Sequence, residues 1–104
     1  MAIERLTLLT GDGDAGFVWA ACGWSAARDH RLAFTAFTIG DHGSVPDSVV
    51  PWHVACEVGQ EGAVLVRPDG LIAWRAQTLP DNPLGALTEA MDKILAGRVL
   101  RTAS

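Results

Sequence analysis

The sequence predicts one α/β domain: a four-stranded mixed sheet with helices on both faces. A β-hairpin is predicted over residues 62–75, because strand-forming residues flank the tight-turn sequence Pro68, Asp69 and Gly70. A strand, a helix, a second strand and a short helix precede this hairpin, and a helix follows it. Such alternation is expected when helices cover both sides of a sheet.

The first part of the chain predicts a parallel strand–helix–strand unit. Residues 5–10 are a nearly continuous run of apolar and β-branched residues, and residues 32–39 form a second strand with alternating apolar side chains. Asp14 is predicted to cap the helix between them, and Arg28 and His30 near its end suit the helix dipole. Five residues at helical spacing predict its buried face, namely Phe17, Ala20, Ala21, Trp24 and Ala27.

The second part of the chain predicts a short helix, the hairpin and a final helix. Residues 40–48 form a polar loop, and residues 49–58 are predicted to form the short helix, whose start Pro51 limits. After the hairpin and a loop at 78–81, Asn82 caps the final helix with Pro83 at its first position. Its predicted buried stripe consists of Leu84, Leu87, Met91, Ile94 and Leu95.

The domain is predicted to cover residues 1–97. Gly97 is the expected terminator of the final helix, and residues 98–104 are expected to form a loose tail. The order βαβαββα, with a parallel first pair and an antiparallel last pair, is that of the thioredoxin fold. Cys22 and Cys56 form no CxxC, and the start of the first helix has no cysteine, so disulfide exchange is not expected.

Composition excludes several classes of partner. The 104 residues carry a net charge of −4 without a basic stripe, which argues against nucleic acid and anionic lipid. No apolar run reaches membrane-spanning length, and the N-terminus does not read as a signal peptide. Two cysteines favour a reducing cytoplasm. The hydrophobic fraction of 49% is high for so small a domain and predicts an apolar patch covered by a partner.

Two motifs suggest ligand sites but have simpler explanations. Gly11, Gly13 and Gly16 match the dinucleotide pattern GxGxxG, yet Asp12 and Asp14 would place carboxylates beside a pyrophosphate. We interpret this segment as a glycine-rich turn. His53 and Cys56 are three residues apart, as two metal ligands on a helix could be, but a closed zinc site needs four ligands. We interpret them as a partly exposed histidine and a core cysteine, and expect no metal site.

Four tryptophans are many for a chain of this size, and at least one is predicted to lie at an interface. Trp52, beside Pro51, is the first candidate, and Trp19, which lies off the predicted apolar face of its helix, is the second.

Three segments together resemble a known domain. The sequence GAVLVRPDGLIAWRA at 62–76, the helix NPLGALTEAMDKIL at 82–95 and RLTLLTG at 5–11 are similar to the C-terminal domain of FAD-dependent aromatic-ring hydroxylases, the flavoprotein monooxygenases of phenols and aromatic polyketides. The resemblance implies a thioredoxin-like fold without redox cysteines. It also implies that FAD and substrate bind in the preceding domains, so no catalytic or cofactor-binding residue is expected in this chain.

The resemblance further implies a scaffold role, in which the domain packs on the hydroxylase body or on a second copy of itself. Val64, Val66, Ile72 and Trp74 of the hairpin could bury one face, while Arg67 and Arg75 remain available for polar contacts. With Trp19, Trp52 and Trp74, these two arginines are the expected interface residues.

Three functions therefore remain open at the level of sequence. The first is a non-catalytic docking or dimerisation module of an aromatic-ring hydroxylase. The second is a stand-alone protein that binds aromatic or polyketide molecules, since four Trp and three Phe could line an apolar pocket. The third is a small enzyme using Asp12, Asp14 or His53, although no base, nucleophile and orienting group converge in the sequence.

Overall fold

The computed structural model describes residues 5–46 and 50–103, with side chains described as far as residue 95. Residues 47–49, which belong to the predicted polar loop and the start of the predicted short helix, lie outside this description. The elements in order are β1 Leu6–Gly11, α1 Asp14–Asp29, β2 Phe34–Ile39, α2 Trp52–Ala55, β3 Ala63–Val66, β4 Ile72–Ala76 and α3 Pro83–Ala103. Within the described residues, no helix is both long and apolar enough to cross a bilayer.

The four strands form one mixed sheet in the order β2-β1-β3-β4. Strands β1 and β2 are parallel, with Leu6 opposite Phe34. Strand β3 is antiparallel to both of its neighbours, β1 and β4. The predicted element order and mixed sheet are confirmed.

The hairpin turn forms as its sequence predicts. The Gly70 N–H donates to the Arg67 carbonyl oxygen at 2.9 Å, and the Arg67 N–H donates to the Leu71 carbonyl oxygen at 2.8 Å. Gly70 has φ of +90°, a conformation that glycine adopts without steric cost. The Asp69 carboxylate accepts a hydrogen bond from the Leu71 N–H at 3.1 Å and so holds the loop from within.

Helices α1 and α3 pack together over one face of the sheet and create the main core. The fully buried side chains of this core include Leu8, Trp19, Leu65, Leu87 and Met91. Thr10 is buried beneath the helices, and its hydroxyl donates to the Gly62 carbonyl oxygen at 3.2 Å. Pairing this polar group avoids the cost of an unsatisfied buried hydroxyl.

Within residues 5–46 and 50–103, the opposite face is covered by α2 and the segment that follows it. Trp52 and Val58 pack there against Val64, with Leu9 and Ile39 at the edge of the cluster. Helix α2 has four residues, fewer than the span 49–58 within which it was predicted, and Pro51 stands at its N-cap. Helices on both faces are therefore confirmed, but their coverage is unequal.

The predictions for α1 are partly wrong. Gly13, not Asp14, is the N-cap, and Asp14 is the first helical residue, where its charge suits the N-terminal dipole. The buried residues of α1 are Gly16, Trp19, Gly23, Ala26 and Ala27. Small residues predominate because the helix lies close to the sheet: a Cβ on Gly23 would lie 2.6 Å from Phe34 Cζ. Consequently Phe17 and Trp24 of the predicted buried face are 58% and 51% exposed.

The predictions for α3 are confirmed at its start and wrong at its end. The Asn82 side-chain oxygen accepts a hydrogen bond from the Gly85 N–H at 3.0 Å, which is the predicted cap. Leu87 and Met91 are buried, whereas Leu84 is 39% exposed. The helix continues through Gly97 to Ala103. An interior glycine costs a helix only about 1 kcal/mol relative to alanine, and no proline follows to stop it.

His30 joins the end of α1 to α3. Its Nδ1 lies 2.7 Å from the Ala26 carbonyl oxygen, and its Nε2 lies 2.6 Å from Asp92 Oδ1. The hydrogen bond to the Ala26 carbonyl, followed by that to Asp92, raises the pKa of His30 above its usual value of 6.5. Because both neighbours accept hydrogen bonds, the arrangement favours the imidazolium, which has two N–H donors.

Candidate interaction surfaces

An open cleft of about 630 Å³ lies where β1 and β2 end and α1 begins. It is lined by the 11–16 turn, residues 39–41 and 51–53, Gln60 and Glu61. Its charged lining residues are the four carboxylates Asp12, Asp14, Asp41 and Glu61, and no Lys or Arg is among the residues that line it. A flavin pyrophosphate is anionic, so the residues of this cleft do not fit FAD.

The glycine-rich turn has a packing role. A Cβ on Gly16 would lie 1.7 Å from the Gly11 carbonyl oxygen, so only glycine lets α1 start this close to β1. Gly13 has open space around it and serves as the N-cap. The interpretation of this segment as a strand-to-helix turn therefore agrees with the packing around Gly16.

Asp12 holds two loops together at the rim of the cleft. Its Oδ2 accepts a hydrogen bond from the His42 N–H at 2.9 Å. Gly40 has φ of +148°, and a Cβ there would lie 2.4 Å from the Asp12 carboxyl group. One of the acids considered for catalysis is thus engaged in positioning the loop that follows β2.

The two cysteines and His53 do not converge. Cys22 packs against the core beneath α1 and α3, whereas Cys56 packs against the Trp52 cluster on the other side of the sheet. Both are free thiols and half-buried. Among the described residues, no group of three or more His, Cys, Asp or Glu side chains could hold a metal ion.

The predicted tryptophan anchors lie deeper than expected. Trp19 has no exposed surface; its Nε1 donates to the Glu61 carbonyl oxygen at 2.9 Å, and its ring meets Trp74 edge-on at 5.7 Å. Trp19 therefore presents no surface to a partner in this conformation. Trp52 retains 8% of its exposure and Trp74 is half-buried. The most exposed tryptophan is Trp24, which the sequence assigned to the core.

Among the described residues, two surfaces with exposed apolar side chains are considered as possible contacts. One, here called the open sheet face, lies on the side of α2 and consists of Thr7, Thr35, Phe37, Val66 and Ile72; of these, Phe37 and Ile72 are exposed, and the half-buried Val66 packs against the Trp52 cluster. Phe37 and Ile72 are 36% and 39% exposed. The other, the α1 stripe, consists of Phe17, Ala21 and Trp24, which are spaced four and three residues apart on the helix. Sequence periodicity placed Phe17, Ala21 and Trp24 on one face of the helix, but it predicted that this face would be buried, whereas it is exposed.

The predicted interface arginines are accessible but not unpaired. The Arg67 guanidinium lies 2.7 Å from Asp69 Oδ2, across the hairpin turn. Arg75 lies 3.8 Å from Glu57, in a looser pair with both side chains exposed. Exposed pairs of this kind contribute little to stability, so either arginine could exchange its carboxylate for one on a partner.

Comparison with known sequences decides the family. The sequence model described as "Aromatic-ring hydroxylase, C-terminal" matches residues 1–97. The chain belongs to this family. The chain is 37% identical over 83 residues to 4-methyl-5-nitrocatechol 5-monooxygenase of Burkholderia sp, covering 80% of this chain and 15% of that protein. It is 32% identical over 101 residues to tetracenomycin A2 monooxygenase-dioxygenase of Streptomyces glaucescens, covering 89% of this chain and 18% of that protein.

Two solved structures of related enzymes also match the fold of this chain. Aklavinone-11 hydroxylase, solved as a ternary complex with FAD and aklavinone, matches with a TM-score of 0.72 and 28% identity over 88% of this chain. The flavin-dependent monooxygenase PieE, solved with FAD and substrate, matches with a TM-score of 0.62 and 35% identity. This chain covers 16% and 15% of those two proteins. It therefore spans less than a fifth of the relatives that it matches.

Proposed function

We propose that this chain is a non-catalytic docking module of an FAD-dependent aromatic-ring hydroxylase. One observation carries the proposal: the sheet is sealed by two long helices on one face and left half open on the other, in a chain that corresponds to under a fifth of its relatives. An open apolar sheet face is costly in water and is a common sign of a partner.

Catalysis is assigned to the body of the hydroxylase rather than to this domain. The cleft offers carboxylates where FAD would require donors or positive charge. Asp12 is engaged with the His42 N–H, and neither cysteine lies in the cleft lining. These features support a domain that contributes contact while its relatives bind FAD elsewhere.

The polar part of the docking contact is assigned to Arg67 and Arg75, with Trp74 contributing its exposed edge. Trp52 is assigned a supporting role beneath the surface, because it anchors α2 to the sheet. The same proposal places the chain in the cytoplasm, where two free thiols are stable, and allows a second copy as partner in a dimeric hydroxylase.

A chimera tests this function. The 104-residue chain replaces the matching C-terminal segment of tetracenomycin A2 monooxygenase-dioxygenase. We expect the chimera to retain FAD and hydroxylation and to unfold in one transition, while the isolated chain neither quenches FAD fluorescence nor oxidises substrate. Binding of FAD by the isolated chain would contradict the proposal. So would a chimera whose two parts unfold independently.

A second candidate, binding of an aromatic molecule, is motivated by the size of the cleft and by Trp52 in its wall. The volume of about 630 Å³ lies in the range of small-molecule sites. Its acidic lining, however, suits a cation better than a phenol. Titration of tryptophan fluorescence with a phenolic polyketide tests it, and an unchanged spectrum at saturating ligand excludes it.

A further inference from the structure

The register of the sheet defines the open sheet face as a continuous row. Thr7 of β1 lies opposite Thr35 of β2 on one side and Val66 of β3 on the other, and Val66 lies opposite Ile72 of β4. Phe37, two residues after Thr35 on β2, lies on the same face of the sheet beside this row. The row crosses all four strands without a charged side chain. Two of its members, Thr7 and Thr35, carry hydroxyl groups, and Val66 and Ile72 are apolar.

Arginines stand around this row. The Arg5 guanidinium donates to the Phe34 carbonyl oxygen at 3.1 Å and to Thr35 Oγ1 at 3.0 Å, so it lies at the β2 side. Arg75 pairs with Val64 in the ladder and lies toward the β4 side. An uncharged centre with arginine at its margin is the composition typical of protein interfaces. It favours a partner surface that is uncharged in the middle and carries carboxylates at its edge.

The position of the row in the sheet indicates which partner could cover it. The row lies at the end of the sheet where β1 begins, and Arg5 immediately precedes that strand. The family match is a C-terminal domain, so in its relatives the remaining four-fifths of the chain precede this segment. A body connected at this end of β1 lies next to the open sheet face without a long connection.

We infer that the open sheet face docks on the flavin-binding body of the hydroxylase, with Arg5 and Arg75 meeting carboxylates of that body. This inference rests on the proposed function and adds the surface and the charge of the partner. The α1 stripe, on the far side of the sheet, stays free of the body.

Hydroxyl-radical footprinting of the chimera against the isolated chain tests the assignment. In the isolated chain, Phe37 and Ile72, each more than a third exposed, are labelled above the level of buried Leu65. In the chimera, labelling of Phe37 and Ile72 falls to the level of buried Leu65, whereas labelling of Phe17 and Trp24 is unchanged. Matched variants extend the test: Ile72→Lys exposes Phe37 again and lowers the melting temperature of the chimera, and Phe17→Lys does neither.

The remaining outcomes separate the surface from the function. Protection of Phe17 and Trp24 in place of Phe37 and Ile72 overturns the assigned surface and leaves docking intact. Identical labelling of all four residues in chimera and isolated chain overturns the surface and the proposed function together. Protection of Phe37 that appears in the isolated chain only as its concentration rises assigns the surface to a second copy and overturns the inference.

Discussion

The two faces of the sheet are completed in different ways. Beneath α1 and α3, Leu8, Leu65 and Leu87 have no exposed surface. On the other face, α2 and the residues after it cover only the end near Trp52, and Phe37 and Ile72 stay more than a third exposed. The first face is covered by two long helices, whereas the described residues cover the second only in part.

This difference predicts that one face determines the stability of the isolated chain and that the other matters for its contact with a partner. The face beneath α1 and α3, here called the sealed face, holds nearly all of the fully buried side chains. Its packing therefore determines whether the chain folds. The open face contributes little to the isolated fold because its side chains already contact water. Substitutions on the two faces should therefore be distinguished by size of effect, and by whether the effect depends on a partner.

The largest effect is expected for Trp19→Ala. This ring is fully buried, meets Trp74 and donates to the Glu61 carbonyl oxygen, so its loss creates a cavity and an unpaired acceptor. We expect a loss of about 3–5 kcal/mol in the free energy of unfolding. Trp24→Ala on the same helix is the control: it is 51% exposed and should cost about 1 kcal/mol, mainly its edge-on contact with Phe34. Urea denaturation measures both, and equal losses would contradict the assignment of faces.

A smaller effect is expected for Gly16→Ala. Alanine favours a helix interior by about 1 kcal/mol, but the added Cβ would meet the Gly11 carbonyl oxygen at 1.7 Å. Because that oxygen belongs to backbone, α1 must move off β1, and we expect a net loss of about 1–3 kcal/mol. Gly13→Ala, where nothing lies within 4 Å, provides the control and should cost under about 1 kcal/mol. A thermal melt in which Gly16→Ala is as stable as the parent chain would disprove the close approach.

These glycines explain where sequence reasoning succeeded and failed. Strand alternation and the turn chemistry of Pro68, Asp69 and Gly70 predicted the strands and the hairpin, because those signals are local. The face of α1 was wrong because its contact with the sheet is made by small residues, and hydrophobic periodicity ranks Phe17 and Trp24 above Gly16 and Gly23. A stripe of glycine and alanine beside one large ring, Trp19, was the signal available in the sequence.

The candidate surfaces were predictable only in part. The hydrophobic fraction predicted an uncovered patch, and the hairpin sequence predicted that Ile72 would lie near it. The extent of the open sheet face depends on how much of the sheet α2 covers, and a four-residue helix after Pro51 leaves no periodic pattern. The continuation of α3 past Gly97 was missed for a related reason, since glycine ends a helix only when the following chain also leaves it.

A pH-dependent effect of modest size is expected at His30. Its partners are the Ala26 carbonyl and Asp92, with Asp29 nearby, and they raise its pKa above 6.5 in the folded chain. The stabilisation is therefore complete below the unfolded pKa of about 6.5 and is lost as pH rises through the higher folded pKa. Because Asp92 is 65% exposed, the contribution should not exceed about 1 kcal/mol.

Asp92→Asn sharpens that prediction. Melting temperatures at about pH 5.5 and about pH 8.5 should differ less in the variant than in the parent chain, since the carboxylate no longer favours the imidazolium. An NMR titration should show the His30 pKa falling toward 6.5 in the variant. A parent chain whose His30 titrates below 6.5 would contradict the geometry.

The smallest effect in the isolated chain is expected on the open sheet face itself. Ile72→Thr keeps β-branching and replaces an ethyl group by a hydroxyl on a side chain that already contacts water, so the free energy of unfolding should change by less than about 0.5 kcal/mol. Ala63→Thr, on the sealed side of the same hairpin, has no exposed surface and must overpack the core, costing about 1–3 kcal/mol. If Ile72→Thr unfolds the isolated chain as strongly as Ala63→Thr, then Ile72 belongs to the folding core, and the second face of the sheet is complete without a partner.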